Sequence, residues 1–126
     1  DSSTSRGLGD VYKRQSLDSA MGRAYLASLP ASACDEVMAR LGPAAPPADA
    51  IVRARLELQE SGCCFAIGEW QSGINAVAVP FTSITGEGVF VMSCGGPASL
   101  LPEPDLRTRV GPALRAAIAG LAGASA

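Results

Sequence analysis

The sequence predicts an α+β domain, and three observations carry that prediction. Apolar residues recur every three or four positions from Ser16 to Leu29 and again after Pro104, the period of a helix with one buried face. The run Ile74–Val79 is nearly all apolar, which suits a strand covered on both faces. The polar turn T-S-I-T-G-E-G, with Gly86 and Gly88, separates that run from a second apolar stretch, Val89–Cys94, as in a hairpin. The full order reads helix, helix, helix, strand, strand, strand, helix, which gives an antiparallel sheet with helices packed against it.

The first helix spans Ser16 to Leu29. Ser16 or Asp18 caps it, or Ser19 does if it starts later. Met21, Ala24, Tyr25 and Leu29 form its apolar stripe, and Pro30 stops it. A second short helix, Ala33 to Leu41, turns Val37, Met38 and Leu41 inward. Gly42 and the run P-A-A-P-P-A-D end it in a loop. Ile51–Gln59 alternates apolar and polar residues like a strand, yet its Ala, Arg, Leu, Glu and Gln residues favour helix. Helix is the reading adopted, with Asp49 as N-cap and Gly62 at the C-cap. Cys63–Glu69, Ile74–Val79 and Val89–Cys94 are the strands. Pro102 and Pro104 lead into a last helix with Leu106, Val110, Leu114, Ala117 and Leu121 on one face, and a small-residue tail begins at Gly120.

The chain has 126 residues, 48% hydrophobic and 17% charged, enough for one ordinary domain. Its formal charge of −2 is a poor footprint for a nucleic-acid surface. No apolar run approaches the roughly 18–20 residues that span a bilayer. With no histidine there is neither a Ser-His nor a Cys-His dyad, and no imidazole to hold zinc. No catalytic residue, metal site or cofactor is expected. An enzyme using Cys94 as nucleophile beside the Gly95 and Gly96 amides would lack a base.

Residues 1–15 look foreign to the rest of the chain. They hold the only lysine, Lys13, and no alanine, whereas 16–126 is alanine-rich and uses arginine alone as its cation. The segment reads as an artefactual or disordered leader resembling translated adaptor sequence, with a flexible arm as the alternative. The domain proper is therefore placed at 16–126.

Cys34, Cys63, Cys64 and Cys94 form no C-x-x-C pair. Adjacent Cys63 and Cys64 in a strand point to opposite faces and do not clasp one metal ion together. No signal peptide precedes them, so a reducing cytoplasm and small buried thiols are expected.

Three segments together carry a resemblance: S-A-M-G-R-A-Y-L-A (Ser19–Ala27), G-C-C-F-A-I-G-E-W-Q-S-G-I-N-A-V-A-V-P (Gly62–Pro80) and G-G-P (Gly95–Pro97). In order and spacing they resemble the C-terminal effector-binding domain of IclR-type bacterial transcriptional regulators, over about Ser19 to Gly123. The resemblance implies a GAF-like α+β fold with a curved antiparallel sheet and packed helices. It also implies further strands before the first helix and a winged helix-turn-helix before those. The chain is then expected to be truncated at its N-terminal strands, a partial effector-binding domain whose DNA contacts belong to an absent N-terminal winged helix-turn-helix. Homo-oligomers, dimers or tetramers, and a small organic acid effector are the implied partners.

The N-terminus of a helix offers unpaired N–H groups and partial positive charge, so it can hold a carboxylate without arginine. The resemblance places that role at Ser19, Ala20, Met21 and Gly22. By motif register, Ala66, Ile74, Ala76, Ser93 and Gly95 line the other wall. Some family members are polar at the counterparts of Ala66, Ala76 and Gly95. Here only Ser93 keeps a hydroxyl, which implies a roomier, less polar pocket for a bulkier, partly apolar acid, with aromatic acids among the candidates. Glu69 either accepts a ligand hydroxyl or stabilises its turn. Trp70 either stacks a ligand ring or packs at the strand end. Asn75 closes a strand-edge hydrogen bond. Arg23 either neutralises a carboxylate, faces solvent or pairs with an acid. A purely structural oligomerisation module is the competing function.

Overall fold

The computed structural model describes residues 19–69, 72–82, 86 and 88–121. The leader, the helix start at Ser16 or Asp18, Trp70, much of the T-S-I-T-G-E-G turn and the end of the C-terminal tail lie outside the described residues.

Helix α1 (Ala20–Ser28) begins at its Ser19 cap, whose hydroxyl accepts from the Gly22 amide at 3.4 Å. Helix α2 (Ala31–Leu41) starts two residues before the predicted Ala33, because Pro30, which ends α1, also stands as its N-cap. A short 3₁₀ turn, Gly42–Ala44, comes next, within the predicted loop. Helix α3 (Ala48–Ser61) resolves the ambiguous segment as helix. Asp49 does not cap it: Pro47 holds that place, and Asp49 lies in the first turn, where its charge suits the helix dipole. Gly62 ends the helix in the left-handed conformation, with its amide on the Leu58 carbonyl at 2.8 Å.

Three strands come after α3: β1 (Cys64–Ile67), β2 (Ile74–Thr82) and β3 (Val89–Pro97), in the antiparallel order β1-β2-β3. Strand β1 is shorter than predicted at both ends. Strands β2 and β3 each run three residues longer at the C-terminal end, since the pairing of Ile74 with Pro97 and Thr82 with Val89 carries both to full length. A one-turn helix, Glu103–Asp105, then passes through a π-turn, Leu106–Val110, into α4 (Gly111–Leu121).

The sheet divides the interior in two. On one side Cys64, Ala66 and Ala78 pack with Ala20, Ala24 and Ala27 of α1 and Ala54 of α3. On the other, Cys63, Phe65, Val77 and Val79 pack with Leu106 and Ile118 of the C-terminal helix. The central strand β2 thus serves both sides, as its nearly all-apolar run predicts. A third cluster, Leu26, Cys34 and Ile51, joins the three N-terminal helices, with Val37, Met38 and Leu41 against it as expected.

On the last helix the predicted inward stripe holds through Leu106, Val110 and Leu114 but not at Ala117, which is exposed while Ile118 is buried. Ile118 follows Leu114 by four residues, as Leu114 follows Val110 and Val110 follows Leu106, so the stripe keeps that spacing and passes over Ala117.

Candidate functional site

The face covered by α1 gathers most of the residues that motif register singles out. Ala66, Ala76 and Gly95 stand side by side across the three strands, and Cys64, Ala78 and Ser93 form the adjacent row. Ile74, two residues before Ala76, shares that face by alternation. Register therefore places Ala66, Ile74, Ala76, Ser93 and Gly95 on the side of the sheet that faces α1.

The two ends of these rows differ. Ala66 is 2% exposed, sealed beneath α1 in the alanine cluster. Ala76 is partly buried, and Ser93 and Gly95 on the edge strand are exposed. A Cβ placed on Gly95 would come within 3.1 Å of the Ala76 Cβ, so strand contact is tight there and no side chain stands above the backbone. Small residues on both partners let α1 lie close to all three strands, while Ser93 and Gly95 of β3 stay exposed. The roomier wall anticipated from the alanines is divided accordingly: Ala66 is buried beneath α1, and Ser93 and Gly95 are exposed.

Ser19, Ala20, Met21 and Gly22 make the first turn of α1. Ala20 and Gly22 are buried, and Met21 packs against the alanine cluster. The turn's position along the sheet is fixed by the next residue. Arg23, only 6% exposed, donates from Nη1 to Glu69 Oε1, and Glu69 lies just past the end of β1. The start of α1 therefore sits toward the sheet end where β1 finishes and β2 begins, the end that carries Ile74, Ala76 and Gly95.

Glu69 itself is not part of the strand wall. It stands in the β1–β2 connection, and its Oε1 also accepts from Arg53 Nη2 of α3 at 2.6 Å. Of the alternatives open for Arg23, pairing with an acid is the one observed. Sequence reasoning missed Arg53 altogether, because its partner is 16 residues away and its neighbours read only as a helix surface. Asn75 is buried on the opposite face, where its Nδ2 donates to the Leu101 carbonyl at 2.9 Å and ties β2 to the turn after β3. It belongs to the frame rather than the pocket wall.

The cysteines suit packing. Cys63 and Cys64 fall in the two clusters on opposite sides of the sheet, as their adjacency requires. Burial pushes both thiols up, Cys64 to about 12, so neither is a ready thiolate. Cys34 is buried also, and Cys94 is partly covered on the face away from α1. Among the described residues no group of three or more Cys, Asp or Glu is arranged to hold a metal ion, and no helix is long and apolar enough to cross a membrane.

No protein-family model matches the chain, and no curated protein matches it. Solved structures do. An IclR-family transcriptional regulator from Brucella abortus is 32% identical with a TM-score of 0.70, over 79% of this chain and 39% of that one. An IclR transcriptional regulator from Alicyclobacillus acidocaldarius is 28% identical with a TM-score of 0.67, over 85% of this chain and 44% of that one. A double mutant of the inducer-binding domain of the transcription factor PobR from Acinetobacter, in complex with 3-hydroxybenzoic acid, shares the fold at 20% identity and a TM-score of 0.65, over 80% of this chain and 61% of that one. This chain thus spans about two fifths of the length of the two regulators. Fold, motif order and these likenesses converge: over about 80% of its length the chain is similar to, and shares the α+β fold of, the C-terminal domains of IclR-family transcriptional regulators.

Proposed function

We propose that this domain senses a small organic acid and passes its occupancy to the assembly and DNA binding of a transcriptional regulator. One observation carries the reading. The first turn of α1 is held at the sheet end where Ile74, Ala76 and Gly95 share its face, and Ser93 and Gly95 on that face are exposed. Amides at a helix start favour a carboxylate. Ala76, Gly95 and Ile74 offer it an uncharged, largely apolar bed, and Ser93 adds one hydroxyl. That chemistry fits an acid with an apolar or aromatic body, the class to which the 3-hydroxybenzoic acid bound by PobR belongs.

Ligand binding changes a regulator only by as much as it favours one state over another. The proposed whole protein is a cytoplasmic homo-oligomer, dimer or tetramer. Its DNA contacts come from an N-terminal winged helix-turn-helix and not from this weakly acidic domain.

A thermal-shift panel of organic acids on the full chain tests the reading, with 3-hydroxybenzoate among them. A ligand at one hundred times its Kd stabilises by about 2.7 kcal/mol, so binders raise the melting temperature. Gly22→Phe, which crowds the α1 amides, is expected to abolish the shift. A panel without a stabiliser would favour a structural oligomerisation module instead.

A further inference from the structure

We propose that the side chain of Met21 is the adaptable wall of the acid site and sets the size of the acid that enters, favouring one with a flat, single-ring body. This deepens the sensor reading and rests on it.

The rotation of α1 about its own axis decides where Met21 lies. Ala20, Ala24 and Ala27 recur at helical spacing and pack in the cluster beneath the helix, so they mark the face turned to the sheet. Arg23 and Met21 stand about 200° apart around the axis, one on each side of that stripe. Arg23 identifies its own side. Its guanidinium donates to Glu69, just past the end of β1, and Glu69 also pairs with Arg53 of α3. Leu26, on the same flank as Arg23, packs with Ile51 of α3. The frame around Glu69 is firm: the Gly68 amide donates to the Ile74 carbonyl at 2.9 Å, and the Ala98 amide to the Gly73 carbonyl at 2.7 Å. The Arg23 flank therefore faces β1 and α3. The Met21 flank faces away from them, toward β3, which α1 also contacts.

The neighbours on that side are small. Met21 is the one long side chain that α1 adds to the alanine cluster, and Ala76 and Val91 join it at the partly buried margin. Gly95 lies beside Ala76 so closely that an added Cβ would come within 3.1 Å of the Ala76 Cβ, which leaves a bed no taller than a methyl group. Ser93 adds a hydroxyl to the same face, and Val91, two residues before it, closes the row with a branched side chain. A low, smooth bed of this kind suits a planar ring. Methionine is unbranched and flexible, and its sulfur packs well against an aromatic ring, so it shapes itself to such a body from the side. The carboxylate then lies at the amides of Ala20–Gly22, on the same turn that carries Met21. A second fused ring would need the volume that Met21 fills.

Calorimetric titration of the full chain with 3-hydroxybenzoate and with 2-naphthoate, a fused-ring acid, tests this. The unsubstituted chain is expected to prefer the single-ring acid. Met21→Ala is expected to move the ratio of the two affinities toward 2-naphthoate by about tenfold or more, the scale on which pocket volume discriminates. Met21→Leu, of similar volume, is expected to hold the ratio within about threefold. Met21→Val serves if Met21→Ala does not fold, with a shift of about threefold or more in the same direction. A merely structural role for Met21 would lower the melting temperature of the variants and leave the ratio alone. A preference for 2-naphthoate in the unsubstituted chain, or a ratio that does not move in the truncated variants, overturns the assignment of Met21 and leaves the sensor reading standing. If no form of the chain binds any acid of the panel, both fall.

Discussion

Cys63 and Cys64 show how much a single position can decide. One side chain enters the cluster under the C-terminal helix and the other the cluster under α1, so neighbouring thiols share no space. Burial in each cluster disfavours the thiolate. The consequence for stability has a definite sign. In the unfolded chain Cys64 ionises near its ordinary value of 9.0, while in the fold it keeps its proton to about 12. Between these values the unfolded state has released a proton that the native state still holds, so stability falls as pH rises through that window. Cys63 acts in the same direction. Melting temperature is expected to drop steeply between pH 9 and 12, and Cys64→Ala, though less stable at neutral pH, should show a shallower drop. An identical slope for the variant would assign the alkaline loss to other groups.

The C-terminal helix is the element in which local geometry matters most. Its π-turn closes with the Gly111 amide on the Leu106 carbonyl, and the turn brings that carbonyl close to the Gly111 Cα. A Cβ there would lie 3.0 Å from the Leu106 oxygen and 3.1 Å from Cys63 Sγ. Neither atom can retreat easily, since one is backbone and the other is buried under the sheet. Gly111→Ala is therefore expected to destabilise by about 1–3 kcal/mol, as overpacking of a core does, despite the better helix propensity of alanine. Urea denaturation measures it; an unchanged or raised midpoint would mean that the helix relaxes without cost. Around that turn, Arg107 lies over the Phe65 ring at 4.3 Å and pairs with Glu103, roofing the end of β1.

At the scale of the molecule, strand β3 pairs only with β2 among the described residues, so its outer backbone edge has no partner there. Phe90 on that strand is 46% exposed and stacks on Phe81, with ring centroids 5.9 Å apart. A long edge with an exposed aromatic invites pairing with another chain. Phe90→Lys is expected to reduce self-association on heating, measured by light scattering, at a loss of about 0.5–1.5 kcal/mol for the ring pair. Unchanged scattering would place the association elsewhere, with the exposed Val52 and Leu56 of α3 as the next surface to alter.

What the residues determine on their own is the order of elements and the sidedness of the sheet. Helical spacing, the Pro and Gly stops, and the nearly all-apolar run of β2 are local signals, and each points close to the observed place. The shared face of Ala66, Ala76 and Gly95 is legible in motif spacing, since alternation in a strand leaves little freedom. Where sequence reasoning falls short, a distant partner or a local irregularity makes the decision. Asp49 yields the cap to Pro47, and Ala117 yields the core to Ile118, which continues the spacing of four from Leu114. Glu69 stands apart from the strand wall because Arg23 and Arg53, far from it along the chain, both bind its carboxylate. The strands and helices are fixed by short-range sterics and hydrophobic period. The charge arrangement around α1 is fixed by which side chains meet once three separate elements have packed, and only the tertiary structure shows that meeting.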